Sequence, residues 1–157
     1  MSSLLEFFEK MFGNFYLMSV ACSWIFAQII KVFTGYFQDG GFNFRKFLFG
    51  TGGMPSSHSA TVMSLVTSSV IVNGAGSYQF AASVLLAIIV MSDAVGVRLE
   101  TGKQAQVINK IVIELFSGKG DTTANLKEII GHTPFQVCMG AILGVIVPIG
   151  LSFLMFN

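Results

Sequence analysis

A chain of 157 residues that is 53% hydrophobic and only 11% charged, with a mean hydropathy of +0.72, carries less than half the charge of an average soluble domain. It has too little polar surface to cover itself in water and belongs in a bilayer, while a net charge of +1 excludes the strongly basic balance of a nucleic-acid binder. At roughly 20 residues per membrane helix, the length allows a single domain, residues 1–157, with four to six spans and short connections.

Residues 1–11 set Leu4, Leu5, Phe7, Phe8 and Met11 against Glu6, Glu9 and Lys10, the pattern of a short interfacial helix. The apolar run from Phe15, interrupted only by Ser19, Ser23 and Gln28, predicts a first membrane helix reaching about Phe37. A second run, Ala60–Val72, is diluted by Ser64, Thr67, Ser68 and Ser69; it crosses only if its helix starts near Ser57, and a short or re-entrant helix is equally open. Tyr78–Val97, interrupted by Asp93, and Phe135–Phe156, interrupted by Gln136, are the third and fourth runs. Between them, Val107, Ile108, Ile111, Val112, Leu115 and Phe116 form an apolar stripe opposite Gln106, Asn109, Lys110 and Glu114, which reads as a second interfacial helix. The expected fold is thus all-α, an integral membrane bundle of about four spans plus interfacial amphipathic helices. Cys22 and Cys138 lie inside apolar runs without CxxC or Cys/His spacing and read as small buried hydrophobes. Ala60, Ser64 and Ser68, and the GxxxG of Gly140 and Gly144, mark close helix packing; the latter also allows a homodimer.

Eight of the nine basic residues, Lys31, Arg45, Lys46, Arg98, Lys103, Lys110, Lys119 and Lys127, fall after the first and third runs. With all four runs crossing, the positive-inside rule puts those connections in the cytosol and the N-terminus outside. No cleavable leader pattern precedes the first run, which suggests direct insertion, as in a bacterial plasma membrane.

The sharpest motif is Gly52-Gly53-Met54-Pro55-Ser56-Ser57-His58-Ser59. Glycines that permit close approach, a Pro before the first turn and a Ser cap describe a helix N-terminus able to receive a phosphate, with His58 placed to donate a proton. A capped helix start with an interfacial His is the plainer reading. Asp93 and Arg98 flank Gly96 and read either as an ion pair fixing helix ends or as part of a functional site, because ionisable groups at membrane depth are costly. Gly102-Lys103-Gln104 and Asn109 add donors on the same side. His132, between Gly131 and Thr133-Pro134, is the second of two histidines; with both at helix starts on one face, one can act as nucleophile and the other as acid.

These blocks, together with Ala27-Gln28 and Lys31, Asp93-Ala94-Val95-Gly96-Val97-Arg98, and Leu126-Lys127, resemble the divergent branch of the type 2 phosphatidic acid phosphatases, distant relatives of vanadium haloperoxidases. The resemblance covers nearly the whole chain. It implies an integral membrane phosphatase, independent of metal or other cofactor, acting on a phosphorylated membrane lipid: phosphatidate, phosphatidylglycerophosphate or an isoprenoid diphosphate. Pro55, Ser56, Ser57 and His58 match the Pro-Ser-x-His motif directly, and His132 matches the nucleophile. The Asp four residues beyond that nucleophile is Gln136 here, which can hold Nδ1–H but cannot stabilise imidazolium as a carboxylate does. The basic motif also departs: Lys31 stands 14 residues before Arg45 with no Pro following, and the Arg expected before the nucleophile is Leu126, beside Lys127. Lys31, Arg45, Ser56, Ser57, Arg98 and Lys127 are accordingly candidate phosphate ligands, with Asp93 a candidate for the missing carboxylate and Gly53, Pro55, Gln104, Asn109 and Gln136 in support. The alternative is a non-catalytic membrane protein that binds or flips anionic lipid head groups.

Overall fold

The computed structural model describes residues 2–39, 53–116 and 131–156, and within them the chain forms six α-helices and no strand. They are α1 (Ser2–Phe12), α2 (Phe15–Asp39), α3 (Ser57–Asn73), α4 (Tyr78–Val95), α5 (Val97–Phe116) and α6 (Pro134–Met155). Their starts follow local side-chain chemistry. Asn14 accepts from the amides of Tyr16 and Leu17 at the head of α2. Ser56 caps α3 through Ser59 N, and Ser77 caps α4 through Phe80 N. Thr133 and Gln136 form a reciprocal capping box at α6, with Pro134 in its first turn. Gly74, at φ 77°, closes α3 in the left-handed region that favours glycine.

Among the described residues, three helices are long and apolar enough to cross a membrane: α2 over Phe15–Thr34, the α4–α5 pair over Tyr78–Leu115, and α6. The serine-rich α3 is not among them. It is a single unbroken helix of 17 residues, about 25 Å long, and it sits at the centre of the bundle with α2, α4 and α6 packed around it. Its small residues decide that position. Ala60, Ser64 and Ser68 are fully buried, and Gly140 and Gly144 of α6 lie on the backbone carbonyls of Ser56 and Ala60 so closely that no Cβ fits. The GxxxG is therefore consumed inside the chain, and a homodimer would need another face. The hydroxyls of Thr61, Thr67 and Ser69 are satisfied by carbonyls one turn back. Those of Ser19, Ser23, Ser64 and Ser68, and Oε1 of Gln28, are buried without a partner.

Outward faces are apolar, as lipid demands: Trp24 and Phe33 on α2, Leu85, Ile88 and Ile89 on α4, and Ile142 and Ile146 on α6 are exposed. The two amphipathic segments are helical as the pattern required. α1 packs on α2, and α5 packs on α4 with Val107, Ile108 and Ile111 turned away from the bundle. The cysteines correct one expectation: Cys22 is half-buried and Cys138 is exposed, so both contribute to the outer surface rather than to a core.

Candidate functional site

α3 and α6 begin side by side. The Ser56 amide donates to the Gln136 carbonyl across 3.0 Å, while the C-terminal parts of α2 and α4 arrive at the same end because those helices run antiparallel to α3. The turn before α3 is held by α2: Thr34 Oγ1 donates to the Met54 carbonyl at 3.0 Å, and Gly53, at φ 84°, rests against the Lys31 side chain, where a Cβ would stand 3.2 Å from Cγ. The Met54–Pro55 peptide is cis. Lys31, expected in a connection, is inside α2, and its Nζ reaches Ser57 Oγ at 3.4 Å.

His132 is 8% exposed at the mouth of α6. Gln136 Oε1 lies 3.2 Å from its Nδ1 and also accepts from the Thr133 amide at 3.1 Å. An amide N–H can only donate, so the atom it meets on Gln136 is the carbonyl oxygen. Nδ1 must then carry the proton, leaving the Nε2 lone pair free. Burial lowers the His132 pKa below the ordinary imidazole value; the Gln136 bond pulls it upward, and the positive charges of Lys31, His58 and Arg98 push it down again. Lys31 and Arg98 act on His58 as well as on His132, with Asp93 opposing them at His58, which is exposed. Gly131 fixes the approach, since its α-carbon packs directly on the Arg98–Leu99 backbone.

Arg98 Nε and Asp93 Oδ2 form an ion pair, allowed at a spacing of five because the helix breaks at Gly96 between α4 and α5. Asp93 thus does not stand in for the missing carboxylate, and the His132 Nδ1 position is already filled by Gln136. Ser56 is another correction. Its hydroxyl is fully buried and consumed by the cap and by Ser59 Oγ, so it shapes the site rather than facing a ligand. Ser57 is 5% exposed, and its hydroxyl meets Lys31 rather than the cap. Pro55 is buried immediately before the cap. On α5, Gln104 is exposed and Asn109 is buried. Arg45 and Lys127 lie outside the described residues. Thr34 and Gly131 are the positions that motif reading passed over as site builders; Thr34 follows Lys31 by three residues on one helix face, which is the signal that could have found it.

The result is a polytopic helical membrane protein whose polar groups converge where the central helix and its closest neighbour begin. The chain belongs to the divergent PAP2 family, whose model matches residues 12–147. It is 36% identical over 155 residues, 92% of this chain and 98% of the relative, to a protein of Bacillus subtilis (strain 168) described as uncharacterized membrane protein YuiD. No solved structure matches.

Proposed function

We propose that the protein is a lipid phosphate phosphatase of the plasma membrane, with its site facing the cytosol. It would hydrolyse a lipid phosphomonoester or diphosphate through a phosphohistidine at His132. One observation carries the reading: Gln136 pins Nδ1–H of His132 and leaves Nε2 unprotonated within the field of Lys31, His58 and Arg98. In the first step the Nε2 lone pair attacks phosphorus, the bond from phosphorus to the leaving oxygen breaks, and protonated His58 gives its proton to that oxygen. In the second step water attacks the phosphohistidine while His58 takes a water proton, and the P–N bond breaks to release phosphate and restore neutral His132. Lys31 and Arg98 offset the charge spread over the phosphoryl oxygens, usually the largest catalytic contribution. The α3 start, with Ser57 in its first turn, contributes free amides and a partial positive charge.

The test is phosphate release by the detergent-purified protein from phosphatidate, phosphatidylglycerophosphate and isoprenoid diphosphates in the presence of chelator. Release that His132→Ala lacks supports the reading. Gln136, a neutral amide where a carboxylate would stabilise imidazolium, favours the second reading of a protein that binds or flips anionic head groups. A binder tolerates His58→Gln and His132→Gln better than Arg98→Ala, and a phosphatase shows the reverse.

A further inference from the structure

We propose that the groove between α1 and α2 holds the single hydrocarbon chain of a lipid phosphate, and that Gln28 accepts a hydrogen bond from a hydroxyl in the linker between chain and phosphate. The inference deepens the proposed function and rests on it only for where the phosphate sits.

The groove has a volume of about 560 Å³ and is lined by Met11 and Phe12 of α1, Leu17, Ala21 and Trp24 of α2, and Thr61 of α3. That volume falls in the range of sites that enclose small ligands. Leu17, Ala21 and Trp24 continue at steps of four and three into Gln28 and Lys31, so all five share one stripe of α2. At 1.5 Å per residue the stripe runs about 20 Å, with about 10 Å between Trp24 and Lys31, room for a short polar linker. The polar end of the groove and the phosphate site also share a helix turn, because Thr61 donates to the Ser57 carbonyl and Ser57 Oγ meets Lys31 Nζ.

By its place on that stripe Gln28 falls between the two, one turn beyond Trp24 and just past the residues that line the groove. It is 4% exposed, and its Oε1 is buried without a partner. An unpaired carbonyl oxygen at that depth is a standing cost that a ligand O–H would remove. A diacyl phosphatidate and an isoprenoid diphosphate carry no such donor in the linker; phosphatidylglycerophosphate carries one, but beyond a second phosphate and away from its chains, whereas a one-chain glycerol phosphate carries it beside the chain. The geometry therefore selects a lipid with one chain, a hydroxyl beside it and a terminal phosphate.

Trp24 is the only tryptophan of the chain and stands in the groove wall, so its fluorescence reports the occupant directly. The experiment places the full-length His132→Ala protein, which cannot turn the probe over, in phosphatidylcholine vesicles. Lysophosphatidate with a brominated acyl chain is compared at matched mole fraction with lysophosphatidylcholine carrying the same chain. The expected result is an apparent affinity about tenfold higher for lysophosphatidate, equal to about 1.4 kcal/mol. That preference should be lost in Lys31→Met, while Gln28→Leu, facing a hydroxyl that both probes carry, should cut the affinity for each severalfold. Equal quenching by the two lipids, or quenching by neither because another protein segment fills the groove, overturns the proposal; an affinity for both probes unchanged in Gln28→Leu overturns the role of Gln28. Phosphate release by the unmutated protein in the same vesicles reads the proposed function separately. Selective quenching without release leaves the groove standing and removes the hydrolase, and release without selective quenching does the opposite.

Discussion

Replacing Gln136 by Glu changes one atom's identity and puts a full negative charge where a neutral carbonyl oxygen now lies, 3.2 Å from His132 Nδ1. The capping box survives, because Glu serves at that position as well as Gln, so the start of α6 is retained. Unit charges 4 Å apart interact by about 4 kcal/mol at an effective dielectric near 20, and Lys31 and Arg98 compete for the new carboxylate. The net effect is an upward move of His132 titration by about 1–3 pH units, the span seen for an opposite charge at close range. The sign is fixed by the reaction. Neutral imidazole is the nucleophile, so the low His132 pKa extends activity toward acid, and Gln136→Glu should move the acid limb of the kcat/KM profile to higher pH. Above that limb the carboxylate supports the imidazolium-like phosphohistidine, and 1.4 kcal/mol of such support is worth about tenfold in kcat. Because the chain has two histidines, NMR titration of isotope-labelled imidazoles with His58→Gln as the assignment control follows His132 whether or not the enzyme turns over. An unmoved titration in Gln136→Glu would refute the pairing of His132 with Gln136 and the nucleophile built on it.

Gly144→Leu should lower the melting temperature in detergent sharply, with a cost of about 1–3 kcal/mol or more, because a Cβ there meets the Ala60 carbonyl and Met63. Gly150→Leu, which has open space, should leave the melting temperature close to wild type. Asp93→Asn should change stability by less than about 1 kcal/mol and leave turnover near wild type, since the Asp93–Arg98 pair is 36% and 53% exposed and Asp93 does not orient His132; a loss matching that of His132→Ala in phosphate release would contradict the assignment. Folded His132 resists protonation while the unfolded chain does not, so the unfolded state binds more protons as pH falls through the ordinary imidazole range. Melting temperatures should therefore drop over that interval and drop less in His132→Gln.

Most of the helices could be read directly from the chain because each rests on local chemistry. Periodic apolar runs set α2, α4 and α6, alternating faces set α1 and α5, and Ser56, Ser77 and Thr133 cap their own first turns. The pairing of His132 with Gln136 was legible through the family resemblance, which sets a partner four residues after the nucleophile. Family membership followed from motif blocks strung along the chain, which need no coordinates to match.

Only tertiary packing decided the rest. Hydropathy does not place α3, whose serines are buried at the centre of the bundle because three other helices cover them, and the glycines of α6 let that cover come within backbone contact. Asp93 and Arg98 look too far apart on a continuous helix, and the break at Gly96 brings them together. Ser56 and Ser57 are adjacent and chemically identical, yet one is spent on the cap and the other faces Lys31, because Ser56 is the extended residue before the helix, its side chain turned back over the first turn, while Ser57 is the first helical residue. Sequence spacing specifies interactions within a turn or two of helix. Which residues of distant helices share one site depends on how closely their backbones can approach, and in this chain small side chains and shielded hydroxyls set that distance.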